Sequence, residues 1–112
     1  MLDVAGALQR MANDMELYRD LVANFEKDAP RFVERLRHAV DASDMESVHR
    51  SAHSLKGLAQ NVGAESVAAS ASELERAARA GDSLAAAVAY SRIEASMLRV
   101  KSQLGPYRRN SG

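Results

Sequence analysis

Apolar residues recur every three or four positions along almost the whole chain, the period of a helix with one buried face, and strand-like alternation is absent. A short first segment, about residues 3 to 12, offers Val4, Leu8 and Met11 on one side, and Asn13 and Asp14 then supply a break and an N-cap. From Asp14 the series Leu17, Leu21, Phe25, Phe32, Leu36 and Val40 keeps nearly one helical phase through Pro30. That predicts one long helix to about residue 42, kinked because Pro30 cannot donate to the carbonyl of Glu26. Two helices with Pro30 in the first turn of the second is the alternative.

Ser43 and Glu46 have capping-box spacing for a third element over residues 44 to 62, whose core stripe is Val48, Ala52, Leu55, Ala59 and Val62 and whose stop is Gly63. A fourth runs from Ala64 to Ala80 with Val67, Ala71, Leu74 and Ala78 inward, and Gly81-Asp82 reads as a stop followed by a new N-cap. The last, about 83 to 104, aligns Ala86, Tyr90, Ile93, Met97, Val100 and Leu104; Gly105-Pro106 closes it, leaving 105 to 112 as a loose tail. The fold class is therefore all-α. Four long amphipathic segments joined by very short turns predict an antiparallel up-down-up-down four-helix bundle, with the short N-terminal helix capping one end.

Composition narrows the function without naming it. At 112 residues the chain suits one domain over its whole length, with no Pro/Gly/Ser-rich linker or internal repeat. Fifteen basic and fifteen acidic side chains cancel, so no field of one sign draws in a polyanion, and nucleic acid is not an expected partner. With no cysteine there is neither a disulfide framework nor a thiolate site, which suits a reducing compartment. No long apolar run marks a signal peptide or a membrane span, so a cytoplasmic location without direct membrane contact is expected.

One face of the third helix carries the candidate chemistry. At about 100° per residue, His49, His53, Lys56, Gly57 and Gln60 fall on a stripe centred roughly 115° from the core direction. A neutral imidazole is a nucleophile near neutral pH. Lys56 puts an ammonium where it could steady phosphoryl oxygens. Gly57 costs a helix interior about 1 kcal/mol relative to alanine, and it removes the side chain that would fend off a partner. Taken alone, an exposed histidine is more often simply solvated; its neighbours are what make this one a nucleophile open to a large partner.

The run AHSLKGLAQNVGAESV resembles the signature of histidine-containing phosphotransfer (HPt) domains: a histidine, a lysine and glycine at plus three and plus four, and a second glycine at plus ten. Here these are His53, Lys56, Gly57 and Gly63, and the likeness extends over roughly residues 8 to 104. The resemblance implies a phosphorelay intermediate in two-component signalling. His53 would accept a phosphoryl group from the aspartyl phosphate of one receiver domain and pass it to the aspartate of another. Receiver domains of response regulators or of a hybrid sensor kinase are thus the implied partners, and the Mg²⁺ belongs to the receiver, leaving this monomeric chain without a cofactor of its own.

The family position for a glutamate or glutamine that hydrogen-bonds Nδ1 of the histidine falls on Glu75. Its place beside core residue Leu74 independently lets it turn toward the third helix and fix the tautomer that frees Nε2. The bland alternative is an exposed pair with Arg79 at i+4. Where the chemotaxis-kinase form carries a further histidine this chain has Ser72, which favours the relay class. His49 and Gln60 flank the approach as candidate partner contacts, though Gln60 reads equally well as an ordinary exposed glutamine.

Competing chemistries are weaker. His49 and His53 at i, i+4 have zinc-binding spacing, but no cysteine or further histidine completes a ligand set, so no metal is expected. His38 is read as a surface residue without an evident partner. Nothing resembles a nucleotide-binding loop, which argues against a kinase and against an enzyme in its own right. The rival of another class is a non-catalytic helical adaptor that binds through the Lys56/Gly57 face.

Overall fold

The structure, a computed structural model, describes residues 2–108. Five α-helices, α1 (Val4–Arg10), α2 (Met15–Asp41), α3 (Met45–Val62), α4 (Glu65–Ala80) and α5 (Ser83–Gln103), are followed by one 3-10 turn, Gly105–Tyr107. No strand occurs among the described residues; Leu2 and Ala64 form a lone antiparallel bridge.

Local capping sets most boundaries. Asp3, Asp14, Asp44 and Asp82 each accept the amide two or three residues into the helix they precede, satisfying a donor that the helix itself leaves unpaired. The third of these corrects the expected capping box. Ser43 stands at φ 53°, outside the backbone region that an N-cap needs, while the carboxylate of Asp44 takes both the amide and the hydroxyl of Ser47. Gly63 and Gly81 end α3 and α4 in the left-handed conformation, at φ 75° and 65°. Between the two readings of Pro30, the structure takes the single helix: α2 continues through it.

Each of α2 to α5 packs on the next in sequence, and α5 returns to α2, while α1 rests on α2 and α3. The buried faces of α3 and α4 include every residue their periodicity named. On α2 the pattern shifts. Its first half buries Tyr18, Val22, Phe25 and Ala29, and Leu17 of the expected stripe is left exposed. Tyr18 is wholly buried and donates its hydroxyl to the carbonyl of Val62 at 2.8 Å; burial, with Tyr107 and Asp3 nearby, pushes its phenol up to about 12.

Residues 105 to 108 are not loose. Tyr107 packs edge-on against Tyr18 with ring centroids 5.5 Å apart, and Arg108 reaches Glu26 at 2.6 Å and the carbonyl of Lys101. The remainder of the expected tail, 109 to 112, lies outside the described residues.

Candidate functional site

The seam between α3 and α4 holds the one buried carboxylate among the described residues. Glu75 is 3% exposed, because its position beside Leu74 places it at the edge of the α4 core face rather than on the solvent side. An isolated buried carboxylate would be costly, so its partners decide its state. Lys56 Nζ lies 2.8 Å from Oε1, though off the angle of a hydrogen bond, so this contact is a charge pair. His53 Nδ1 stands 3.3 Å from Oε2. Burial pushes the Glu75 carboxyl up, but Lys56 and His53 outweigh it and hold it below its ordinary value of 4.5.

That ionised oxygen can only accept. The proton on the His53 ring therefore belongs on Nδ1, and the Nε2 lone pair is left outward on a side chain that is 69% exposed. A buried anion thus orients an exposed imidazole.

The remaining predicted residues take up places around this pair. Gly57 is exposed, and a Cβ there would meet nothing within 4 Å. Gln60 is exposed one turn further on, its carbonyl taken by Arg10 at 2.6 Å. His49 turns its Nε2 toward Glu75 Oε2 at 3.7 Å, facing the seam rather than only the approach to it. Lys56, expected to point at incoming phosphoryl oxygens, instead lies on Glu75 and is half-buried. Arg79, the bland partner for Glu75, comes to 3.9 Å of Oε2, so the carboxylate serves both helices. His38, expected to lack a partner, sits 3.2 Å from Glu34 on the exposed side of α2.

Sequence reasoning missed that four cationic or titratable side chains converge on Glu75. The signal was present: His53 and Glu75 are equidistant from Ala64, as are His49 and Arg79, so a hairpin turning at Gly63-Ala64 brings each pair level. No group of three or more His, Cys, Asp or Glu side chains is arranged to hold a metal ion among the described residues. None of the described helices is long and apolar enough to cross a membrane.

Comparison with known proteins gives two findings. The family model of the Hpt domain matches residues 20–103. The crystal structure of histidine-containing phosphotransfer protein B (HptB) from Pseudomonas aeruginosa PAO1 superposes with a TM-score of 0.82 at 27% identity, covering 91% of this chain and 89% of that one. No curated protein matches the sequence.

Proposed function

The chain belongs to the Hpt domain family, and from that premise we propose that His53 is its phosphoryl carrier, loaded by the aspartyl phosphate of one receiver domain and discharged to the aspartate of another. The observation that carries the reading is the His53–Glu75 contact at 3.3 Å, which ties Nδ1 to a buried carboxylate and leaves Nε2 open to solvent.

In the loading step the Nε2 lone pair attacks phosphorus, the bond from phosphorus to the aspartyl oxygen breaks, and the aspartate leaves as a carboxylate. The His53 ring, still protonated on Nδ1, gains positive character, which Glu75 offsets through a charge-assisted hydrogen bond. Discharge is the same step reversed on a second receiver. Lys56 holds the far oxygen of Glu75, so that carboxylate stays ionised and aimed. Mg²⁺ and most of the electrostatic stabilisation of the transferring group come from the receiver. Exposed Gly57, with open space where a side chain would stand, fits a partner surface approaching His53, with Gln60 at its border.

The architecture we infer is an up-down-up-down four-helix bundle with α1 across one end. The contact of Tyr18 with Val62 joins the start of α2 to the end of α3, and turns of only two or three residues between successive long helices require antiparallel neighbours. The carrier acts as a cytoplasmic monomer without nucleotide-binding or kinase chemistry of its own.

The test is incubation with a receiver domain carrying labelled aspartyl phosphate and Mg²⁺. Wild-type chain takes up an acid-labile, alkali-stable label, and His53→Gln takes up none while still binding the receiver. A wild-type chain that binds and stays unlabelled would favour the adaptor reading, and an acid-stable label would rule out phosphohistidine.

A further inference from the structure

Glu75 Oε2 faces more groups than it can serve. His53 Nδ1 is 3.3 Å away, His49 Nε2 3.7 Å and Arg79 3.9 Å, while Lys56 occupies the other oxygen. Of the three on Oε2, Arg79 is always charged and 67% exposed, so water competes for it. His49 differs: its side chain is only 39% exposed, and an imidazole, unlike a guanidinium, exists in both a neutral and a charged form.

We propose that His49 is a positioning residue for His53, acting through the carboxylate they share; the proposal rests on the reading of His53 as the phosphoryl carrier. While His49 is neutral, it makes no claim on the charge of Oε2, and that oxygen accepts the Nδ1 proton of His53. When His49 is protonated, a small side-chain movement converts its 3.7 Å contact into a charge-assisted hydrogen bond to the same oxygen. His53 then loses part of its acceptor, its ring is held less firmly, and a further positive charge beside it makes Nε2 a poorer base. Protonation of His49 thereby lowers transfer, in addition to the loss caused by protonation of His53 itself.

The surrounding charges leave this pairing intact. On α3, Glu46 and Arg50 face outward and pair with each other at 4.0 Å. From α4, Glu75 faces His49, and Arg79 approaches the same carboxylate oxygen. Helix α2 contributes Arg35 and His38 to a groove on the other flank of α3, lined there by Ser47, Arg50, Ser51 and Ser54 and not by His49. Helix α1 places Arg10 at Gln60, about three turns along α3 from His49.

Two measurements test this. The ring nitrogens of His53 are followed by NMR through the titration of both imidazoles, in wild-type chain and in His49→Gln. Two imidazoles sharing a carboxylate titrate as a coupled pair, so the wild-type His53 signal changes in two steps and the variant signal in one. Superimposable curves overturn the proposal. The rate of phosphoryl uptake from a receiver is then compared across pH as the ratio of His49→Gln to wild type, which cancels the receiver's own pH dependence. The ratio rises by about fivefold or more toward acid, a coupling in the usual range. A ratio independent of pH would make His49 a docking contact only and overturn the proposal. His49→Lys, a permanent cation at this position, shows depressed uptake at alkaline pH, where wild type is fastest. If neither wild type nor variant takes up label at any pH, the carrier reading fails, while the NMR curves still decide whether His49 and His53 are coupled.

Discussion

Gly57 and Gly63 lie close together, one in the second half of α3 and the other at its end, and the surroundings of each show why it lacks a side chain. Around Gly63 the molecule is crowded. The residue is buried at φ 75°, and an added Cβ would fall inside the backbone of Asp3, whose amide donates to the Gly63 carbonyl at 2.7 Å. Around Gly57 there is nothing: ordinary helical backbone, exposure to solvent, and open space beyond. The first glycine is required by the fold's own packing. The second is unfavourable for the helix by about 1 kcal/mol relative to alanine, and no intramolecular contact explains it. An empty position that the isolated molecule does not need is evidence for a surface that another molecule uses.

The sharpest way to break this contrast is to fill both positions. Gly63→Ala combines left-handed strain with displacement of the N-terminal segment, and is expected to cost about 3 kcal/mol. A chemical denaturation curve measures it; a cost under about 0.5 kcal/mol, the ordinary scatter of surface changes, would remove the packing requirement. Gly57→Leu is expected to do the reverse, raising the melting temperature by a few degrees, since leucine is the better helix former. Phosphoryl uptake from a receiver falls about tenfold or more in the same variant, equivalent to about 1.4 kcal/mol of lost transition-state stabilisation. Uptake at the wild-type rate would show that the open space is not a docking requirement.

The smallest effect concerns the carboxylate beneath that surface. Because the folded state holds the Glu75 carboxyl below 4.5, its contribution to stability is present above that pH and is lost as pH falls through the lowered folded value. Glu75→Gln removes this dependence. Denaturation midpoints of wild type and variant are therefore expected to differ near neutrality and to converge below pH 4.5; parallel curves throughout would mean that Lys56 and His53 do not stabilise the charge.

Much of the site was legible in the sequence because it lies on one helix. His49, His53, Lys56, Gly57 and Gln60 share a face by period alone, and the adjoining stripe Val48, Ala52, Leu55, Ala59 and Val62 is wholly buried. The approach of Glu75 to His53 followed from the position of Leu74 and from a resemblance. What Lys56 does was not legible, since a flexible chain on an exposed helix can reach either outward or across. The buried carboxylate decides: an anion taken out of water needs the nearest cation more than solvent does.

The same division runs through the fold. Local chemistry by itself determined the five helices, the aspartate caps of four of them, the glycine stops of α3 and α4 and the buried face of α3, because periodicity and capping involve residues within one turn of each other. Tertiary structure decided the rest. Two adjacent apolar stripes on the first half of α2 satisfy the helical period equally well. The one with Tyr18 faces inward because the Val62 carbonyl, far away in sequence, accepts its hydroxyl. Tyr107 and Arg108 are held for a like reason, since Tyr18 and Glu26 are neighbours only once the helices have packed. The convergence of His49, His53, Lys56 and Arg79 on Glu75 also exists only across the α3–α4 seam, where burial gives one carboxylate the strength to order them.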